Sequence, residues 1–255
     1  MTALDLLMLL PGILVGCLVK AYAGYEGKAG NCEIFHDEFS IGQYIMIVLM
    51  GAILMLLGMS RRIYGELDFA YGESGKSYGG MAVTYLSLII LIATLLFCSV
   101  TDKRSGQVYS VFPFGCLLLQ GILVLISTGK VLILRKGLLK QLLLFIGVVL
   151  LLWAFRLARA DAFLYLSCMF SLVLTNPDRV LFVCMAMLFF SSVGALIGQA
   201  VERFRNQTAA QMQGDWEFRK SAWKRFPFTV YLTKGYMIAL IADFLLEILV
   251  QGSMM

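Results

Sequence analysis

Charge is what this chain has least of. Only 15% of its 255 residues are Asp, Glu, Lys or Arg, where a soluble domain carries roughly a quarter, and the shortfall excludes an ordinary soluble enzyme. Histidine is scarcer still. The single His36 lies in an acidic loop without Cys or His neighbours at ligand spacing, and reads as a surface residue. The six cysteines include no CxxC pair, and Cys17, Cys98, Cys116, Cys168 and Cys184 sit inside apolar runs, which argues against a zinc cluster. The polar or repetitive composition of a disordered, coiled-coil or collagen-like chain is missing as well. The apolar N-terminus lacks a basic flank and an A-x-A-like site, so no cleavable signal peptide is expected, and residues 4–22 read as a retained helix.

What the chain has in abundance is apolar sequence. Apolar residues make up 60% of it, and the mean hydropathy is +0.84. Uncharged runs such as Met81 to Val100 reach the length of about 20 residues that crosses bilayer hydrocarbon. Hydropathy predicts eight spans, over residues 4–22, 42–60, 81–101, 108–128, 138–157, 161–176, 179–201 and 228–250. Only helices satisfy their own backbone at this apolarity. The expected fold is therefore an all-α polytopic integral membrane protein, with the lipid bilayer as its principal partner. The Gly-rich stretch from Tyr71 to Gly80 divides it into an N-terminal helix pair, residues 1–80, and a six-helix core, residues 81–255.

The net charge of +5 does not indicate a nucleic-acid partner, because the 21 basic residues are scattered among loops and form no continuous basic face. They report topology instead. One face collects Lys28, Lys103, Arg104, Arg156, Arg159, Arg203, Arg205, Arg219, Lys220, Lys224 and Arg225. The other holds Arg61, Arg62, Lys76, Lys130, Arg135, Lys136, Lys140 and Arg179. The first face is expected to be cytoplasmic. Arg61, Arg62 and the acidic segment from Ala23 to Ile41 pull the first helix pair the other way.

Two carboxylates stand out. Asp102 ends the third span, in Thr101-Asp102-Lys103-Arg104, and Asp161 opens the sixth, in Arg159-Ala160-Asp161-Ala162. Two crossings separate them, so both return to the same face. A protonated and an ionised carboxyl held together can share a proton, activate water and protonate a leaving amine. Each residue alone also has an ordinary explanation: Asp102 beside two basic residues at a helix end, Asp161 as a helix-start acid favoured by the dipole. Asp243 and Glu247 share a face of the last helix at i,i+4, with Lys234 nearer its start. They either line a polar cavity or snorkel and pair with neighbouring helices, and the second is favoured because Glu247 is close to the helix end.

The surrounding pattern resembles the type IV prepilin peptidase family, the GxGD-type intramembrane aspartic proteases. In that family the first catalytic aspartate ends a helix and precedes a D-x-x-x-x-x-I-P-N stretch, which Asp102 followed by Val108, Tyr109 and Ser110 matches in degenerate form. The GxGD position is occupied by Ala158-Arg159-Ala160-Asp161, with alanine at both glycines. A third element, Arg225-Phe226-Pro227-Phe228-Thr229-Val230-Tyr231-Leu232, is similar to the family's I-P-F-G-P-F-L. The resemblance covers residues 81–250.

The resemblance implies a metal-free, cofactor-free aspartic endopeptidase of the bacterial inner membrane. Asp102 and Asp161 would be its catalytic pair, with Ala158, Ala160, Pro227 and Phe228 supporting them. Its partners would be prepilin-like or pseudopilin-like precursors of a pilus or secretion system, whose basic leader is removed at the cytoplasmic face. A basic leader would need an acidic counter-surface, for which Glu26, Glu33, Asp37 and Glu38 are candidates if their loop is cytoplasmic; a merely solvated loop is the favoured alternative, because exposed charge pairs are weak. The loop that carries them has one cysteine and no CxxC, so the methyltransferase module of larger members is not expected. A homologue that lost activity and serves as a membrane assembly factor is the alternative. A small transporter fits less well, because transport sites lie near the midplane and these aspartates lie at one surface.

Overall fold

Backbone groups in hydrocarbon must be satisfied within their own segment, and the described residues answer with helices alone. The computed structural model describes residues 9–19, 41–63, 78–105, 108–134, 136–154, 157–213 and 228–252. They form eight helices: α1 (Leu9–Val19), α2 (Ile41–Ile63), α3 (Tyr78–Ser105), α4 (Val111–Leu134), α5 (Lys136–Ala154), α6 (Arg159–Thr175), α7 (Val180–Gln213) and α8 (Phe228–Gly252). Five of them are long and apolar enough to cross a membrane, in the stretches Ile41–Gly58, Ala82–Lys103, Gly137–Ala154, Val180–Glu202 and Phe228–Leu246. The protein is a multi-pass α-helical membrane protein.

The other three predicted spans correspond to α1, α4 and α6. Among the described residues, α1 contributes the apolar helix Leu9–Val19 and α4 the apolar stretch Val111–Ser127. The 17 residues of α6 extend about 25 Å, against a hydrocarbon thickness of about 30 Å. Packing explains why α6 tolerates this: it contacts α2, α3, α4, α5, α7 and α8, and thirteen of its residues are buried. A helix with no polar face belongs inside a bundle. The α3 span is similarly enclosed, 61% of it buried against 22% for the α5 span.

The lipid-facing surface is apolar. Leu118, Leu119, Leu125 and Ile126 of α4 and Leu143, Leu144, Leu150 and Leu151 of α5 are all exposed, and in a bilayer such side chains meet acyl chains at no cost. Inside, small and polar residues bring helices together. Gly235 of α8 lies so close to α7 that an added Cβ would sit 2.7 Å from the Ser191 backbone nitrogen and 3.0 Å from the Met187 oxygen. Gly12 of α1 and Gly51 of α2 form an equivalent crossing, where a Cβ on Gly51 would fall 2.9 Å from the Gly12 nitrogen. Ser87 of α3 donates to Gln120 Oε1 of α4 at 2.6 Å and lies 3.2 Å from Ser171 Oγ of α6; Gln120 Nε2 returns a 2.8 Å bond to the Ser87 carbonyl. Buried amides and hydroxyls have no water to fall back on, so this network ties three helices.

The turn before α4 bonds Phe112 N to the Tyr109 carbonyl and Phe114 N to the Ser110 carbonyl. Pro113 sits in the first turn of α4, where its missing N–H leaves no gap in the helical ladder. Phe112 packs on Phe97 with ring centroids 4.9 Å apart, and Phe114 on Phe163 at 5.5 Å. Two aromatic pairs therefore hold the start of α4 against the end of α3 and the start of α6.

Candidate active site

Asp102 lies near the C-terminal end of α3, where the helix dipole disfavours a carboxylate. It is nonetheless buried, 6% exposed. What compensates is the beginning of another helix. Thr229 is the second residue of α8, so its N–H has no partner within the helix, and it donates to Asp102 Oδ2 at 2.7 Å. Asp102 in effect caps α8 from outside.

Asp161 occupies the first turn of α6 and is 7% exposed. Here the dipole of its own helix favours negative charge. Ala158, which precedes the helix, offers no side-chain cap. The Asp161 Oδ1 accepts a hydrogen bond from the Thr229 hydroxyl at 3.2 Å. One residue thus bonds both carboxylates: its main-chain N–H goes to Asp102, and its hydroxyl bonds Asp161 while also reaching Asp102. Two helix N-termini, those of α6 and α8, converge on the pair.

The first turn of α8 is itself held from α3. Ser99 Oγ and Thr233 Oγ1 are 2.7 Å apart, and both reach the Thr229 carbonyl, at 3.3 and 3.0 Å. Phe228 is half-buried and stacks at 6.4 Å on Tyr165, whose buried hydroxyl pairs with Ser191 of α7. The site therefore rests on rigid helices on every side described.

The two alanines at the expected glycine positions are unstrained. Ala158 has extended backbone, φ −62° and ψ 144°, a conformation open to any residue. Ala160 lies within α6 and is buried, whereas Ala158 is exposed. Pro227, Glu26, Glu33, Asp37, Glu38 and His36 lie outside the described residues. Among the described residues no group of three or more His, Cys, Asp or Glu is arranged to hold a metal ion.

A second polar cluster occupies the opposite end of the bundle. Asp243 lies fourteen residues beyond Thr229 on α8, about 21 Å along the axis. Buried at 3% exposure, it accepts Asn176 Nδ2 at 2.8 Å and pairs with Arg179 Nη1 at 3.3 Å. It borders a cavity of about 10 Å3 with Gly58, Thr175 and Phe244, room for a single water. Asp243 thus pairs with neighbouring elements, as expected, but from a buried position that makes snorkelling unnecessary. Lys234 is exposed and lies 5.6 Å above the Tyr231 ring.

Thr229, Ser99 and Thr233 escape a reading of the sequence, which singles out Pro227 and Phe228 immediately before Thr229. The available signal was positional: a residue in the first turn of a helix carries an orphan N–H, and a buried carboxylate on a neighbouring helix end is its natural acceptor. Comparison of the chain with family models, curated proteins and solved structures finds no match.

Proposed function

We propose that this chain is a membrane aspartic endopeptidase that removes the basic leader from prepilin-like or pseudopilin-like precursors, using Asp102 and Asp161. The observation that supports the reading is the shared partner: two buried carboxylates from helices remote in sequence are hydrogen-bonded to the same threonine. Burying two carboxyls side by side is costly. Such a pairing is retained where the chemistry needs two carboxyls acting together.

In the proposed reaction one carboxylate takes a proton from water as its oxygen attacks the scissile carbonyl, while the other carboxyl protonates the carbonyl oxygen. Collapse of the tetrahedral intermediate breaks the C–N bond, and the departing amine takes the proton gained from water. The aspartate end is proposed to face the cytoplasm of a bacterial cell, with the acidic segment bearing Glu26, Glu33, Asp37 and Glu38 available to a basic leader.

An inactive homologue acting as an assembly factor is the competing reading, drawn from the two alanines in place of glycine. The extended backbone at Ala158 removes strain as a reason for lost activity. The deciding experiment is co-expression with a pilin-like precursor from the same genome, scored by the mobility of the processed form. Wild type is expected to cleave, and Asp102→Asn and Asp161→Asn to leave the precursor intact at equal protein levels. Absence of cleavage by wild type, or normal cleavage by both variants, would sink the peptidase reading.

A further inference from the structure

We infer that Thr229 is a positioning residue that assigns unequal roles to the two aspartates, Asp102 as the proton acceptor and Asp161 as the proton donor. The inference rests on the peptidase reading for its catalytic content and on the geometry of α8 for its physical content.

The two bonds from Thr229 differ in kind. A main-chain N–H can only donate, so the Asp102 oxygen that receives it at 2.7 Å is held as an acceptor throughout, a contact that favours the ionised carboxylate. A hydroxyl has a rotatable proton and two lone pairs. The Thr229 Oγ1, 3.2 Å from Asp161 Oδ1, can donate to a carboxylate or turn and accept from a carboxylic acid. Asp161 therefore keeps its partner in either protonation state, whereas Asp102 keeps its main-chain partner only while that oxygen bears no proton.

The reaction then has a direction. Asp102, through its other oxygen, takes the proton from the attacking water. Asp161 gives its proton to the scissile carbonyl oxygen and becomes a carboxylate, which the Thr229 hydroxyl meets by turning its own proton toward it. The proton on Asp102 passes to the amide nitrogen as the C–N bond breaks, and the hydroxyl proton of the intermediate returns to Asp161 as the new carboxyl forms. Both aspartates finish as they began. Ser99 and Thr233 act one step further out: by fixing the Thr229 carbonyl at 3.3 and 3.0 Å, they set the first turn of α8 and hence the direction of its N–H.

Thr229→Val keeps the branched shape and the main-chain N–H but has no hydroxyl; Thr229→Ser restores the hydroxyl. With a processed precursor, the valine variant should lose about 10- to 100-fold in kcat, with KM within about twofold because no contact to the leader is removed. The serine variant should recover most of that loss. Wild-type kcat in Thr229→Val, or a serine variant no better than valine, overturns the assignment.

A thermal-shift cycle decides the physical part without any cleavage. Thr229→Val should lower the Tm of the detergent-solubilised full chain by about 2–4 °C. Because the hydroxyl bonds Asp161 and also reaches Asp102, that shift should shrink more in an Asp161→Ala background than in Asp102→Ala. Equal shifts in both backgrounds would remove the selective hold on Asp161 and overturn the inference. If the cycle holds but wild type cleaves nothing, it is the peptidase reading that fails, and the hold of Thr229 on Asp161 stands.

Discussion

Asp243 and Arg179 face each other across 3.3 Å at the end of the bundle opposite Asp102 and Asp161. The carboxylate is buried and the guanidinium one-third exposed, its side chain at 34%, so the pair lies between a surface bridge worth little and a buried one whose rupture is costly. Its second acceptor oxygen holds Asn176, the residue that ends α6. One carboxylate thereby ties the end of α6 and the start of α7 to α8.

Replacing that carboxylate should loosen all three elements together. Asp243→Ala is expected to destabilise the protein by about 2 kcal/mol, seen as a Tm lower by roughly 4–8 °C. Asp243→Asn, which keeps an acceptor for Asn176, should lose less. Because the pair is remote from the aspartates, precursor cleavage at a permissive temperature should be unaffected in both variants.

The helix crossings predict opposite outcomes for one substitution at two glycines. Gly235→Ala places a Cβ against the α7 backbone, which cannot yield as a side chain can, and should cost about 1–3 kcal/mol. Gly121→Ala on α4, with nothing within 4 Å of its added Cβ, should gain about 0.5 kcal/mol from helix propensity. Thermal unfolding of the two variants side by side checks both signs.

Gln120 should matter more than an isolated polar residue. Gln120→Leu leaves the Ser87 carbonyl and hydroxyl without the partners at 2.8 and 2.6 Å, and is expected to cost about 1–2 kcal/mol. Ser87→Ala should cost less alone. Combined with Gln120→Leu it should add less than the two single costs together, because only the 3.2 Å bond to Ser171 remains to be lost. A double-mutant cycle on Tm measures this coupling.

The arrangement of α3, α6 and α8 puts the turn at Tyr109 and the turn at Asp178 at opposite ends of the bundle. In a background without the native cysteines, Tyr109→Cys and Asp178→Cys should react with a membrane-impermeant maleimide from opposite sides. With the aspartate end in the cytoplasm, intact cells label Asp178→Cys and protect Tyr109→Cys. The reverse pattern would invert the proposed orientation.

The meeting of Asp102 and Asp161 could be anticipated from the sequence because it depends on crossing parity: two spans between them return the chain to the same face. The helical class followed from apolarity for the same reason of backbone satisfaction. Thr229 was not legible, since its role comes from an orphan N–H at the start of α8 and from the angle at which α8 meets α3. Neither is encoded in hydropathy. The burial of α6 was hidden too. Its 17 residues look like a marginal span, and only the six helices around it explain why so short a segment with Arg159 and Asp161 at its start sits at the centre.

Asp102 and Asp161 lie at helix ends, one closing α3 and one opening α6, and this position bears on the physical state of any peptide bond they could attack. A bond in the middle of a membrane helix is shielded by its i→i−4 ladder, and exposing it means unwinding a turn in hydrocarbon, where each freed backbone group costs several kcal/mol. A bond presented at the boundary, just before an apolar helix begins, is already extended and hydrated. Under the proposed peptidase reading, carboxyls at this end of the bundle would suit a substrate whose helix stays wound and laterally docked while only its flanking segment is threaded across them.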